Sequence, residues 1–288
     1  MLTTIFTPTY NRAHLLHVLY ESLCKQTCKD FEWIVIDDGS TDHTREVMES
    51  FLQEHKLDFR YIYQENQGKH RAINKAVELA KGELFFIVDS DDYLVPDAVE
   101  WIHSEYDKIK DQKVFAGLSG LCIDQKGEKI GGGMHFEKID TDCVTFRFKM
   151  QIPGDMSEVY RTEVMREYPF PDIEGEKFCP EALIWNRIAS KYKLRYMYKG
   201  IKVVKYWPDG LSANITRHRH HSPLSSMMFY SELHQFDIPF LQKVKSAINF
   251  WRFTSWSLKG KATEMKMWDL YTPICLPLGL VYHLIDNR

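Results

Sequence analysis

The constraint that most limits the fold lies in roughly the first hundred residues, where short apolar runs alternate with stretches of helical periodicity. Residues 2–7, 31–36, 59–63 and 84–88 read as strands. A first helix opens at Asn11, its predicted N-cap, with Leu15, Leu16, Leu19 and Leu23 at helical spacing. Further helices are predicted over 42–54, 70–80 and 96–106. Such alternation implies βαβ units and a mostly parallel sheet covered by helices on both faces.

A polar or glycine-bearing cluster follows each of these strands. They are Thr7-Pro8-Thr9-Tyr10-Asn11-Arg12, Asp37-Asp38-Gly39-Ser40-Thr41-Asp42, Asn66-Gln67-Gly68-Lys69-His70-Arg71 and Asp89-Ser90-Asp91-Asp92. Open parallel sheets hold their ligands at the carboxyl ends of the strands, so one edge of the sheet should collect the chemistry. Neither GxGxxG after the first strand nor GxxxxGK[ST] anywhere occurs, which excludes a dinucleotide-binding turn and a P-loop.

The carboxylates Asp89, Asp91 and Asp92 repel one another unless a positive group neutralises them, and on an extended chain Asp89 and Asp91 point to one side. A divalent cation suits them, since Mg2+ and Mn2+ take oxygen ligands from one or two carboxylates, phosphates and water. The bland alternative is an acidic helix N-terminus, with Asp91 or Asp92 capping the helix over 96–106. Asp38 can accept a hydrogen bond from a base or a ribose, or belong to a turn, and Lys69 and Arg71 can attract an anion or be a solvated basic turn.

With 44% hydrophobic and 14% aromatic residues among 288, the chain can bury a substantial core, and disordered and fibrous classes are excluded. Lys and Arg number 37 against 40 Asp and Glu, so no overall field favours nucleic acid. The six cysteines form no CxxC pair and read as reduced thiols, and no secretory signal pattern opens the sequence, so a cytoplasmic location is expected. Residues 270–285 are apolar but broken by Pro273, Pro277 and Gly279 and shorter than the ~20 residues a spanning helix needs. With Lys259, Lys261 and Lys266 nearby, that segment could seat the chain on the inner face of the cell membrane or pack as a core helix. Trp251, Trp256 and Trp268 read as packing residues.

Taken in order, the clusters after the strands resemble the family 2 glycosyltransferases, inverting, nucleotide-sugar-dependent enzymes of the GT-A fold, over residues 2–105. The resemblance implies an α/β GT-A catalytic domain over 1–210 and a helical extension over 211–288. Pro8, Thr9 and Tyr10 would line the base and ribose, Asp38 would hydrogen-bond the base, and Lys69 or Arg71 would lie near the base and diphosphate. Asp89 would meet the ribose or the water shell of the metal, Asp91 would bind Mn2+ or Mg2+, and Asp92 would position the sugar.

The family's catalytic base is an Asp or Glu at a helix start, which points to Glu181, although Pro180-Glu181 stands where a Glu-Asp pair is commoner; Glu176 is the alternative. His218, or His220 beside it, would be a late metal ligand. Asp209-Gly210-Leu211-Ser212 and Leu276-Pro277-Leu278-Gly279-Leu280 resemble segments of bacterial polysaccharide-synthesis members. The expected activity is inverting transfer of a sugar from a UDP-linked donor to a hydroxyl of a glycan or lipid-linked acceptor. The rivals are a sugar nucleotidyltransferase, whose glycine-rich phosphate loop is not found in residues 7–12, and a non-catalytic nucleotide- or glycan-binding protein.

Overall fold

The computed structural model describes residues 2–207, 210–211, 213–254, 265, 267 and 272–286. Asp209 and Ser212, and Trp256, Lys259, Lys261, Lys266 and Trp268, lie outside the described residues. Chain contacts divide the protein into two compact units, the first comprising residues 1–142, 152–169 and 190–205, the second residues 143–151, 170–189 and 206–288.

The first unit carries the sheet. Strands β1 (Thr3–Thr9), β2 (Phe31–Asp37), β3 (Phe59–Tyr63) and β4 (Leu84–Ile87) pair in parallel in the order β3-β2-β1-β4. They alternate with helices α1 (Leu16–Cys24), α2 (Thr44–Glu54) and α3 (Lys69–Leu79), as the apolar periodicity predicts. β1 and β2 are buried along their whole length, so their polar side chains need internal partners. The Thr4 hydroxyl donates to Glu32 at 2.6 Å, Trp33 Nε1 donates to Thr7 at 2.9 Å, and Arg60 pairs with Glu32 at 2.7 Å. The helices bury Leu16, Leu19, Leu23, Met48 and Phe51 against Ile5, Trp33, Val35 and Phe86.

Beyond β4 come β5 (Tyr93–Leu94), α4 (Ala98–Asp107), β6 (Phe115–Ile123), β7 (Lys138–Thr141), β8 (Met156–Arg161), α5 (Thr162–Glu167) and, after α6 of the second unit (Glu181–Ala189), β9 (Lys193–Val203). β8 joins β4 antiparallel, β6 joins β8 antiparallel, and β9 lies parallel to β6 and antiparallel to β5 and β7.

Two local expectations are corrected. Asn11 caps no helix: its backbone is left-handed at φ 54°, and α1 begins at Leu16, because the Asn11 side chain is engaged by the loop after β2. Val144, Phe146 and Phe148 suit a strand in sequence, but Thr145–Lys149 form a π-helical turn. Burial of Phe146 overrides the β-propensity of its neighbours there.

The second unit also contains α7 (Ile215–His221), α8 (Pro223–Gln235), α9 (Phe240–Thr254) and α10 (Thr272–Asp286). Its core includes Met227, Phe250, Trp251, Phe253 and Cys275, and Arg187 of α6 clasps Glu232 of α8 through bonds of 2.8 and 2.6 Å. α10 approaches α9 at Gly279, where an added Cβ would lie 2.6 Å from Trp251 Cβ and 2.8 Å from the Arg252 nitrogen. Gly279→Val should therefore push the helices apart and cost about 1–3 kcal/mol, measurable as a lowered midpoint in denaturant unfolding. An unchanged midpoint would contradict this packing. Among the described residues, no helix is long and apolar enough to cross a membrane.

Candidate active site

The loops following β1, β2 and β3 are stitched together by side-chain to backbone hydrogen bonds. The Asn11 N–H donates to Ser40 Oγ at 2.8 Å, while Asn11 Oδ1 accepts from the N–H groups of Thr41 at 2.8 Å and Asp42 at 3.3 Å. Asp37 accepts from the Ser40 N–H at 2.8 Å and from the Tyr61 hydroxyl at 2.7 Å.

Asp38, which is buried, accepts from the Gln64 amide at 2.8 Å and from the N–H groups of Gln67 at 2.9 Å and Gly68 at 2.7 Å. It therefore shapes the loop that opens α3. A carboxylate offers about four acceptor positions, so one remains for a ligand. Gly39 sits at φ 87°, and a Cβ there would lie 2.7 Å from the Asn66 nitrogen. Gly39→Ala should cost about 1–3 kcal/mol through backbone strain alone, read as a lowered Tm. A wild-type Tm would show that the backbone at residue 39 is not held in the left-handed region.

The fourth loop is the acidic turn after β4. The Asp92 N–H closes it on the Asp89 carbonyl at 3.0 Å, and β5 follows immediately. Lys69 from α3 pairs with Asp89 at 2.6 Å, and Lys202 from β9 pairs with Asp92 at 3.4 Å. Burial alone would push the Asp89 carboxyl up, but Lys69 and Lys202 beside it hold it below the usual range. Burial and the charge of Asp89 raise Asp91. Burial drives Asp92 up to about 7 against the pull of Lys202, with the charges of Asp89 and Asp91 adding to the rise.

The turn gathers three carboxylates, two of them paired with Lys69 and Lys202 and the third under the charge of Arg12, and a cation at Asp91 would ease the repulsion from Asp89 that raises it. Among the described residues, no group of three or more His, Cys, Asp or Glu could hold a metal ion by itself. Mg2+ and Mn2+ take one or two protein carboxylates with water and phosphate completing the shell, which the acidic turn fits. Asp91 has no salt bridge among the described residues, and the charge of Arg12 acts on it.

The other expected residues lie on the same edge of the sheet. Pro8 and Thr9 end β1 and are buried, whereas Tyr10 is 50% exposed. Thr9 Oγ1 is buried with no hydrogen-bond partner among the described residues. Arg71 donates to the Gln67 carbonyl at 2.7 Å. Lys202 and Arg12 received no role from the sequence. The available signal for Lys202 was a lone charge between the apolar residues Ile201 and Val203.

In the second unit, Glu181 is the first residue of α6 and is half-buried. Glu176, the alternative base, is buried and caps α8: it accepts from the N–H groups of Leu224 at 2.6 Å and Ser225 at 2.8 Å, and from the Ser225 hydroxyl at 2.6 Å. That engagement gives Glu176 a capping role. His218 stacks on Phe178 at 5.8 Å, His220 pairs with Asp286 at 2.8 Å, and His221 bonds the Arg217 carbonyl at 2.8 Å. None of these belongs to a metal-holding group among the described residues.

Residues 4–147, half of the chain, match the family described as "Glycosyl transferase family 2". The chain belongs to that family. It is 34% identical over 161 residues to a chondroitin synthase of Escherichia coli, covering 52% of this chain and 22% of that protein. It is 27% identical over 208 residues to the GalNAc(5)-diNAcBac-PP-undecaprenol beta-1,3-glucosyltransferase of Campylobacter jejuni, covering 70% and 64%. The chain thus spans about a fifth of the chondroitin synthase and under two thirds of the glucosyltransferase. The crystal structure of S. aureus TarS 1-349 in complex with UDP-GlcNAc superimposes with a TM-score of 0.66 at 19% identity, covering 97% of this chain and 80% of that one. The likeness establishes the shared GT-A fold.

Proposed function

We propose that this family 2 member transfers a sugar, with inversion, from a UDP-linked donor to a hydroxyl of a glycan or lipid-linked acceptor, with a divalent cation at Asp91. The observation that carries the reading is the turn of three carboxylates, Asp89, Asp91 and Asp92, on the same sheet edge as the Asp38 loop, with Asp91 in no salt bridge among the described residues. The UDP-GlcNAc held by the solved neighbour supports a UDP donor, and the name of the Campylobacter relative supports a lipid-linked acceptor.

Asp91 would hold Mg2+ or Mn2+, which when bound supplies Lewis-acid stabilisation to a departing diphosphate. The free acceptor position of Asp38 takes an N–H of the base, and the unpartnered Thr9 hydroxyl and exposed Tyr10 contact base and ribose. Lys69, held against Asp89 beside Arg71, lends positive charge near the diphosphate, and Asp92 accepts hydrogen bonds from sugar hydroxyls. Glu181 takes the proton of the acceptor hydroxyl, without which a neutral alcohol attacks the anomeric carbon poorly. One displacement by that hydroxyl inverts the anomeric centre.

Calorimetric titration with UDP, followed by a screen of nucleotide sugars for slow hydrolysis, tests the reading. UDP should bind in the presence of Mn2+ or Mg2+ and be released by chelation, and a UDP-sugar should be hydrolysed. Chelation-resistant UDP binding without hydrolysis of any nucleotide sugar would overturn it.

The outer face of α10 exposes Ile274, Leu278, Val281, Leu284 and Ile285, while Cys275 and Gly279 face inward. This face supports contact with a membrane surface. The full chain should co-sediment with phosphatidylglycerol vesicles, and Leu278→Glu with Val281→Glu should release it; undiminished sedimentation would place the contact elsewhere.

A further inference from the structure

Lys202 is a charged residue whose side chain is largely buried within a strand. It stands on β9 between the buried residues Ile201 and Val203, and its own side chain is only 13% exposed. Burying an ammonium carries a penalty of several kcal/mol that only close opposite charge offsets. That charge is Asp92, itself 6% exposed, with its Oδ2 3.4 Å from Lys202 Nζ. The backbone enforces the pairing. β5, which leaves the acidic turn directly, pairs antiparallel with β9 and sets Leu94 opposite Lys202. On the other flank of β9, Cys122 of β6 stands in register with Lys202.

The result is a division of charge within one turn. Asp89 has Lys69 at 2.6 Å, Asp92 has Lys202, and Asp91 has no salt bridge among the described residues. The lysines come from α3 and β9, well separated in sequence from the turn they serve.

We propose that Lys202 is a positioning residue for the cation site: by pairing with Asp92 it holds that carboxylate out of the coordination shell, leaving Asp91 as the turn's metal ligand. The inference rests on the donor-site reading above. It predicts that Lys202 sets how strongly the turn binds a cation in the absence of nucleotide.

The test titrates Mn2+ alone into the full chain, by calorimetry and by the paramagnetic resonance of free Mn2+, with thermal unfolding in parallel. Lys202→Met frees the Asp92 carboxylate for the cation, whose charge then replaces that of the ammonium in holding it ionised, and should tighten Mn2+ binding about tenfold, the effect of one more unit charge a few ångströms away at an effective dielectric well above that of a dry interior. Lys202→Arg should retain wild-type affinity. Combining Lys202→Met with Asp92→Asn should cancel the tightening, which a purely structural role for Lys202 would not produce. If Lys202→Met does not fold, Lys202→Gln, uncharged but able to hydrogen-bond, carries the same expectation.

Mn2+ affinity unchanged in the uncharged variant, or tightening that persists in the double variant, would overturn the inference. Asp91→Ala separates the two levels. Retained metal-dependent UDP binding in that variant sinks the donor-site reading itself, whereas loss of it with a silent Lys202→Met sinks only the role of Lys202.

Discussion

Asp91→Ala should abolish Mn2+-dependent UDP binding and lower sugar transfer by at least about 10³-fold, the loss expected if several kcal/mol of charge stabilisation leaves the transition state. Calorimetry with UDP and Mn2+ reads the first effect, and donor hydrolysis reads the second. The same change has an opposite consequence for the fold. Burial and the neighbouring Asp89 disfavour the ionised form of Asp91, raising its pKa above the ordinary carboxylate value. A carboxyl whose folded pKa is raised contributes stability below its unfolded pKa and loses it as pH rises through the folded value. At neutral pH the side chain therefore strains the turn. Asp91→Asn, which removes that charge, should therefore raise Tm. Lost binding with gained stability is the signature of a group kept for function. A variant that binds UDP with Mn2+ as tightly as the wild type would displace Asp91 from the site.

Glu181→Gln separates binding from chemistry. Glutamine keeps the size and the hydrogen-bonding reach of the side chain but cannot accept a proton, so transfer should fall by about 10²- to 10⁴-fold while UDP affinity stays unchanged. The capping role of Glu176 provides the contrast. Its carboxylate receives the N–H groups of Leu224 and Ser225, so Glu176→Ala should lower Tm by removing the α8 cap, a cost of about 1–2 kcal/mol. Transfer lost in Glu176→Gln and kept in Glu181→Gln would reverse the assignment of the base.

Much of the sheet edge that gathers the polar clusters was legible in the sequence because its parts are local. Each of the first four strands is a short apolar run, and each polar cluster follows its strand directly, so βαβ geometry alone brings Pro8, Asp38, Lys69 and Asp91 to one edge. The glycines mark where those loops touch, as Gly39 does against Asn66. Asn11 shows where local reading fails. As a helix cap it suits its neighbours in sequence, but the loop after β2 offers it two backbone N–H groups, and α1 starts at Leu16 instead.

The sequence by itself determined the strand and helix order of the first hundred or so residues, the sheet edge that gathers the aspartates, and the family to which the chain belongs. These follow from apolar periodicity and from residues adjacent along the chain. Only the tertiary structure decided which carboxylate has a counter-ion, that Glu176 is a cap, and that Lys202 reaches Asp92 from β9. The physical reason is that electrostatic pairing and burial depend on distance in space. Strand order places β9 beside β5, and so sets a lysine and an aspartate 110 positions apart in the sequence within 3.4 Å of each other.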